Sequence, residues 1–212
     1  MKRILFQGDS ITDCRRDRED PFYKNYYGLG TGYAGVVSGE LGAKNPGEYE
    51  FFNRGIGGNR VTDLYARLKM DILNLSPDYL SILIGVNDVW HEVTKKDGVE
   101  ADRFEKIYDM LIGEIREKLP DTKIMLIEPF VLKGEATKDS WEFFHSEVLK
   151  RGERARKISE KYNLKFVPLQ SKFDELILKT PEPYWTLEGV HPTVFGHRII
   201  ANEWLKAFEE IK

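Results

Sequence analysis

The chain has 212 residues, 41% of them hydrophobic and 32% charged, with a formal net charge of −3. That balance fits a folded globular protein long enough to bury one sizeable core, and it excludes a disordered chain. It also lacks the basic footprint of a nucleic-acid binder and any window near the roughly 20 apolar residues of a membrane span. A lone cysteine, Cys14, leaves no internal disulfide and no multi-cysteine metal site. The opening "MKRILFQGDS" has too short an apolar run for a secretion signal, so the expectation is one domain over residues 1–212 in the cytoplasm.

The first apolar run, "RILFQ" (3–7), reads as a strand, and "GDSIT" follows it directly. Ser10 therefore stands at a strand end, where it is either a nucleophile near free backbone N–H groups or the N-cap of a short helix. The charged and aromatic stretch 14–33 reads as an insertion: a lid, a subunit contact or a plain surface loop. Its "GTGYAG" (30–35) matches G-x-G-x-x-G, but no strand precedes it, so a dinucleotide site is not expected. Cys14 reads as a small buried residue.

"EYEFFN" (48–53) is a second strand and "NRGIGGNR" (53–60) a glycine-rich turn after it, where backbone can approach a ligand closely. A helix over 61–75 follows, with Val61, Leu64, Leu68, Ile72 and Leu75 on one face. "YLSILIG" (79–85) is a third strand, followed by "NDVW"; Asn87 either donates its amide N–H at that strand end or makes an Asn/Asp turn. A helix over 104–119, a strand over 123–129, a helix over 140–162 and a strand over 164–169 come next. "LEGVHPTVFGH" (187–197) leads into the last helix, 193–211.

Strand alternating with helix predicts an α/β fold, a three-layer αβα flavodoxin-like arrangement with five parallel strands. Sites in such sheets form beyond the carboxyl ends of the strands. His191 precedes a proline and sits in a turn rather than inside a helix, which puts it on that same rim. His145 and His197 fall within helical patterns and read as structural, and His91 lies close behind "NDVW". Ser10 as nucleophile, His191 as general base and Glu188, three residues before it, as orienting acid make a complete set in the chain order Ser, acid, His.

Four blocks in this order, "GDSIT", "NRGIGGN", "GVNDVW" and "EGVHPT", resemble the SGNH (GDSL-type) serine hydrolases over essentially the whole chain. Within that family, "GLGTGYAGVV" (28–37) and "NDVW" look most like bacterial intracellular acetylxylan esterases and related carbohydrate deacetylases. The resemblance implies the family's fold and an oxyanion hole built from the Ser10 and Gly58 backbone N–H groups and the Asn87 side chain. It implies no metal and no cofactor. The family usually reads Asp-x-x-His in its last block, and here Glu188 stands in the acid's place. Either Glu188 fills the role or a main-chain carbonyl orients His191. Asp9, Trp90 and Trp185 are candidate substrate-lining residues, the tryptophans as platforms for a sugar ring.

The expectation is a serine esterase that removes small acyl groups, acetyl first, from a carbohydrate such as a xylo-oligosaccharide. Its partners would be a small-molecule ester and, from the resemblance, further copies of itself. Two rivals remain at this stage. One is a thioesterase or lysophospholipase with a longer acyl groove; the other is a binding module that kept the fold and lost the chemistry.

Overall fold

The computed structural model of the chain describes residues 1–18 and 28–212. Five strands form one sheet: β1 (Lys2–Gly8), β2 (Tyr49–Asn53), β3 (Tyr79–Leu83), β4 (Lys123–Ile127) and β5 (Lys165–Val167). Their order is β2-β1-β3-β4-β5 and every neighbouring pair is parallel. This is the doubly wound three-layer arrangement, with helices on both faces. The chain reverses its winding between β1 and β3, and the crevice at such a reversal is where ligands bind in open parallel sheets.

Strand alternation builds two cores from one sheet. Ile4 and Phe6 of β1 and Met125 and Ile127 of β4 face one side, where Trp204 and Phe208 pack. Leu5, Leu80, Ile82, Ile124 and Leu126 face the other side with Leu64, Phe104, Tyr108 and Ile112. Tryptophan and phenylalanine close the first layer tightly, Trp204 and Phe208 stacking at 5.0 Å between centroids.

The helices are α1 (Ser10–Asp13), α2 (Tyr33–Lys44), α3 (Val61–Ala66), α4 (Val86–Lys95), α5 (Ala101–Lys118), α6 (Trp141–Lys161), α7 (Gln170–Ile177) and α8 (Val194–Glu209). Several of them depart from the sequence reading, and α7 has no counterpart in it. The helix expected over 61–75 breaks after Ala66 and continues as a π-helical turn, Lys69–Leu73. Arg67 lies at the break, and its guanidinium reaches Gln7 Oε1 (3.0 Å), Asn59 Oδ1 (2.8 Å), the Arg54 carbonyl (2.8 Å) and Asp71. A regular helix would not leave the chain free to turn this side chain into the sheet end.

Helix α2 begins inside the stretch read as an insertion. Its glycines lower helix propensity, which hides it from periodicity. At Gly35 a Cβ would lie 2.4 Å from the Gly30 carbonyl oxygen, so the close approach of the entering chain demands glycine there. Helix α4 starts directly after Gly85, which places Asn87 in a first helical turn rather than an isolated Asn/Asp turn. Residues 19–27 of the expected lid or subunit contact lie outside the described residues. Among the described residues no helix is long and apolar enough to cross a membrane.

Candidate active site

The site begins where β1 ends. Asp9, not Ser10, caps α1: its Oδ1 accepts from the Ile11 N–H at 2.9 Å. Ser10 is thereby left as the first helical residue, with its side chain free of capping duty. Its Oγ lies 2.8 Å from His191 Nε2. His191 Nδ1 lies 2.7 Å from Glu188 Oε1, and the same oxygen accepts from the His191 backbone N–H at 2.9 Å. The extra methylene of glutamate is accommodated by this doubled contact within one turn, and no main-chain carbonyl takes the acid's place at Nδ1.

The turn that carries the pair is held from outside. Leu187 N–H donates to the His191 carbonyl (2.8 Å), Leu132 N–H to Gly189 (2.8 Å) and Ala136 N–H to Glu188 (2.9 Å). Thr186 and Pro192 form an isolated antiparallel bridge at its base. Gly189 has φ +104, and a Cβ there would lie 2.6 Å from the Leu132 carbonyl oxygen. The segment after β4 thus clasps the histidine turn, and only glycine fits at the clasp. Trp90 of α4 sets its ring 5.7 Å from the imidazole, giving His191 an apolar flank.

Electrostatics follow from these contacts. The bond from Glu188 holds His191 above the usual histidine range; burial pulls it down, and the charges of Glu188 and Asp9 raise it further. Burial pushes Glu188 up, but its bonds to the His191 side chain and backbone, with the charge of His191, more than offset this and keep it low. Together they favour the ion pair that forms when His191 accepts a proton.

The remaining members of the four blocks follow β2 and β3, the two strands that flank β1, and Gly57 of the glycine turn packs against the Ser10 side chain. Gly58 has φ +81 in the turn after β2. Neither the Ser10 nor the Gly58 backbone N–H donates to another described residue. Asn87 is buried and spends one N–H on the Asn59 carbonyl (3.1 Å), which leaves the second. Arg67 ties Asn59 to the end of β1 and so braces the glycine turn against the serine strand.

A cavity of about 390 Å³ opens beside Ser10 and His191, lined by Ile11, Cys14, Arg15, Leu187 and Pro192 among others. Its size suits a small-molecule ligand. Asp9, a candidate lining residue, does not border it. Asp9 is 1% exposed, and burial pushes its carboxyl up to about 7 despite the Ile11 N–H bond and the nearby His191. The motif spacing put it at the strand end correctly, but its capping bond turns the carboxylate inward. Trp90 touches the site through His191, whereas Trp185 is engaged by the Thr180 carbonyl (3.0 Å) and by Tyr184, with no contact to the cavity.

Cys14, expected to be buried, is half-buried and faces the cavity, its Sγ 3.3 Å from His197 Nε2. It is drawn out by a left-handed turn after α1 that periodicity does not reveal. His197 is buried and accepts from the Tyr33 N–H through Nδ1 (3.2 Å), and burial lowers it to about 4, so it stays neutral. His91 lies beside the glycine turn, its Nε2 4.0 Å from where a Gly58 Cβ would be. His145 stacks on Trp141 within α6. Among the described residues no group of three or more His, Cys, Asp or Glu side chains is arranged to hold a metal.

Comparison with known proteins finds relatives over nearly the whole chain. The model of the GDSL-like lipase/acylhydrolase family matches residues 6–199. An acetylxylan esterase of Geobacillus stearothermophilus is 36% identical over 97% of this chain and 93% of its own length. Its crystal structure superposes with a TM-score of 0.87 at 34% identity, covering 97% of this chain and 93% of that one. A GDSL-like lipase structure from Parabacteroides merdae gives a TM-score of 0.92 at 41% identity, covering 97% and 94%.

Proposed function

The chain belongs to the GDSL-like lipase/acylhydrolase family and is a carboxylic ester hydrolase; from that premise we propose that it removes acetyl groups from a carbohydrate such as a xylo-oligosaccharide, with Ser10, His191 and Glu188 as its catalytic triad. The observation that carries the reading is the unbroken relay from Ser10 Oγ to His191 Nε2 (2.8 Å) and from Nδ1 to Glu188 (2.7 Å). Both links lie within the reach that proton transfer needs.

In this mechanism Ser10 Oγ attacks the ester carbonyl carbon while His191 Nε2 takes its proton. Glu188 fixes the tautomer and stabilises the imidazolium that forms. The Ser10 and Gly58 N–H groups and the free N–H of Asn87 hold the tetrahedral oxyanion, each such donor being worth about 10²–10³ in kcat. Collapse breaks the bond to the sugar oxygen, which leaves with the proton from His191. Water then attacks the acyl-serine with His191 again as base, and acetate departs.

Acetyl and carbohydrate are supported by the acetylxylan esterase relative, alike over nearly the whole of both chains, and by the small volume of the cavity. The test is hydrolysis of p-nitrophenyl acetate and acetylated xylo-oligosaccharide by wild type, Ser10→Ala and Glu188→Gln, with a chain-length series of p-nitrophenyl esters. We expect acetate release from both substrates, loss of at least about 10³ in Ser10→Ala, and a sharp preference for acetyl. Best activity on octanoyl or longer esters would instead select the thioesterase or lysophospholipase reading, and loss of less than tenfold in Ser10→Ala would remove Ser10 from the nucleophile role.

A further inference from the structure

The cavity beside Ser10 is lined by two charged groups that the proposed mechanism leaves unused, Asp13 and Arg15. Cys14 and Arg15, just after α1, are both left-handed, with φ 34 and 63. That region is strained for any side chain with a Cβ, and glycine would occupy it freely. The turn is nevertheless firmly held. Cys14 N–H donates to the Ser10 carbonyl (2.9 Å), Arg16 N–H to Asp13 (2.9 Å) and Thr31 N–H to Cys14 (2.9 Å). A strained conformation that its surroundings over-determine, next to a reaction centre, calls for a functional reason.

The turn's three arginines are used differently. Arg16 donates through Nε to the Gly55 carbonyl (2.8 Å). Arg18 pairs with Asp13 Oδ2 (2.7 Å). Arg15 is exposed, lines the cavity and makes no hydrogen bond or ion pair with any described residue. The nearest acidic lining residue, Asp13, is already engaged by Arg18 and by the Gly57 N–H (3.3 Å). Around this cation, unpaired among the described residues, the cavity wall is largely apolar, formed by Ile11, Leu187 and Pro192.

The geometry points to Arg15 as a specificity-determining residue that selects esters whose alcohol part carries a carboxylate, an acidic sugar unit foremost. A guanidinium is planar and always charged, and it meets a carboxylate through two parallel N–H bonds. An acetyl group offers no charge, so the matching anion belongs to the alcohol side of the ester, which must leave past the cavity mouth. The inference rests on the ester-hydrolase reading of the same site and adds the charge of its substrate.

The experiment compares kcat/KM for 4-acetoxybenzoate and its methyl ester in wild type, Arg15→Gly, Arg15→Lys and Arg15→Glu. Dividing the anionic by the neutral value in each variant, and comparing variants, cancels both intrinsic leaving-group reactivity and any general damage to the site. Arg15→Gly suits the left-handed backbone, so the fold is retained. We expect Arg15→Gly to lower the ratio about three- to fivefold, as for an exposed ion pair. Arg15→Glu should lower it further and Arg15→Lys less than either. The wild-type ratio should also fall as ionic strength rises to about 0.5 M. Ratios equal within about 1.5-fold in all four proteins would overturn the inference while leaving the ester-hydrolase reading intact. Failure of wild type on both esters would overturn that reading and this inference with it.

Discussion

Glu188 touches His191 twice, at Nδ1 and at the backbone N–H, through one oxygen. Replacement by glutamine keeps an oxygen for one contact but removes the charge that stabilises the imidazolium. We expect kcat of Glu188→Gln to fall by about 10²–10⁴, the range set by loss of the orienting charge in serine triads. Glu188→Asp keeps the charge and loses a methylene, so its loss should be much smaller. The pH profile gives the sign. His191 is held above the usual histidine range by Glu188, and the base must be neutral to act. The acid limb of kcat/KM in wild type therefore lies above about pH 6.5, the unperturbed value, and moves to lower pH in Glu188→Gln. A limb that stays in place would remove Glu188 from the relay. That Ser10, Glu188 and His191 meet was legible in the sequence because each stands in a short block with a chemical reason for its spacing. Arg15 was not legible, because nothing in "CRRDR" announces that its second residue turns left-handed over a cavity.

At the scale of elements, the histidine turn is held by the segment after β4 rather than by any strand of its own. Gly189→Ala places a Cβ 2.6 Å from the Leu132 carbonyl oxygen at φ +104. We expect a loss of about 1–3 kcal/mol, read as a Tm lowered by roughly 3–10 °C. Because the displaced turn carries His191, the proposed base, kcat should fall more than KM rises. An unchanged Tm and kcat would show that the clasp tolerates a side chain. The strands were legible because short, nearly continuous apolar runs such as "YLSILIG" at intervals along the chain need no tertiary information. Helix α2 was hidden by its glycines, which lower helix propensity; of them Gly35 is required by its close approach to the Gly30 carbonyl oxygen. The break in the 61–75 helix was hidden because its cause, the reach of Arg67 to β1 and the glycine turn, is long-range in sequence.

The molecule as a whole carries two buried carboxyls at the strand ends, Asp9 and Asp88, each pushed up to about 7 by burial against backbone bonds and nearby cationic groups. Their unfolded values lie near 3.9. Between those limits the folded state binds more protons, so stability falls as pH rises from about 4 to about 7. His191, also raised, adds a loss of the same sign above about pH 6.5. Glu188 is lowered, and its contribution varies only below about pH 4.5, outside this window. His197, lowered to about 4 by burial, works the other way between about pH 4 and pH 6.5, and the lowered His91 shares that sign, but the two carboxyls, each raised over a wider range, outweigh them. We expect Tm to drop by at least about 5 °C between pH 5 and pH 8, and by less in Asp88→Asn, whose amide oxygen still accepts from Val61 N–H. A wild-type Tm that rises over this range would contradict the assignment. One further consequence comes from the 181 residues that separate Ser10 from His191 in the chain. During synthesis Ser10 emerges long before His191, its proposed base. On the proposed mechanism a nascent chain that stops short of His191 holds the serine without the group that would activate it. Catalysis then waits for the turn that carries His191 to dock against the segment after β4, so the appearance of activity is a clock for that docking.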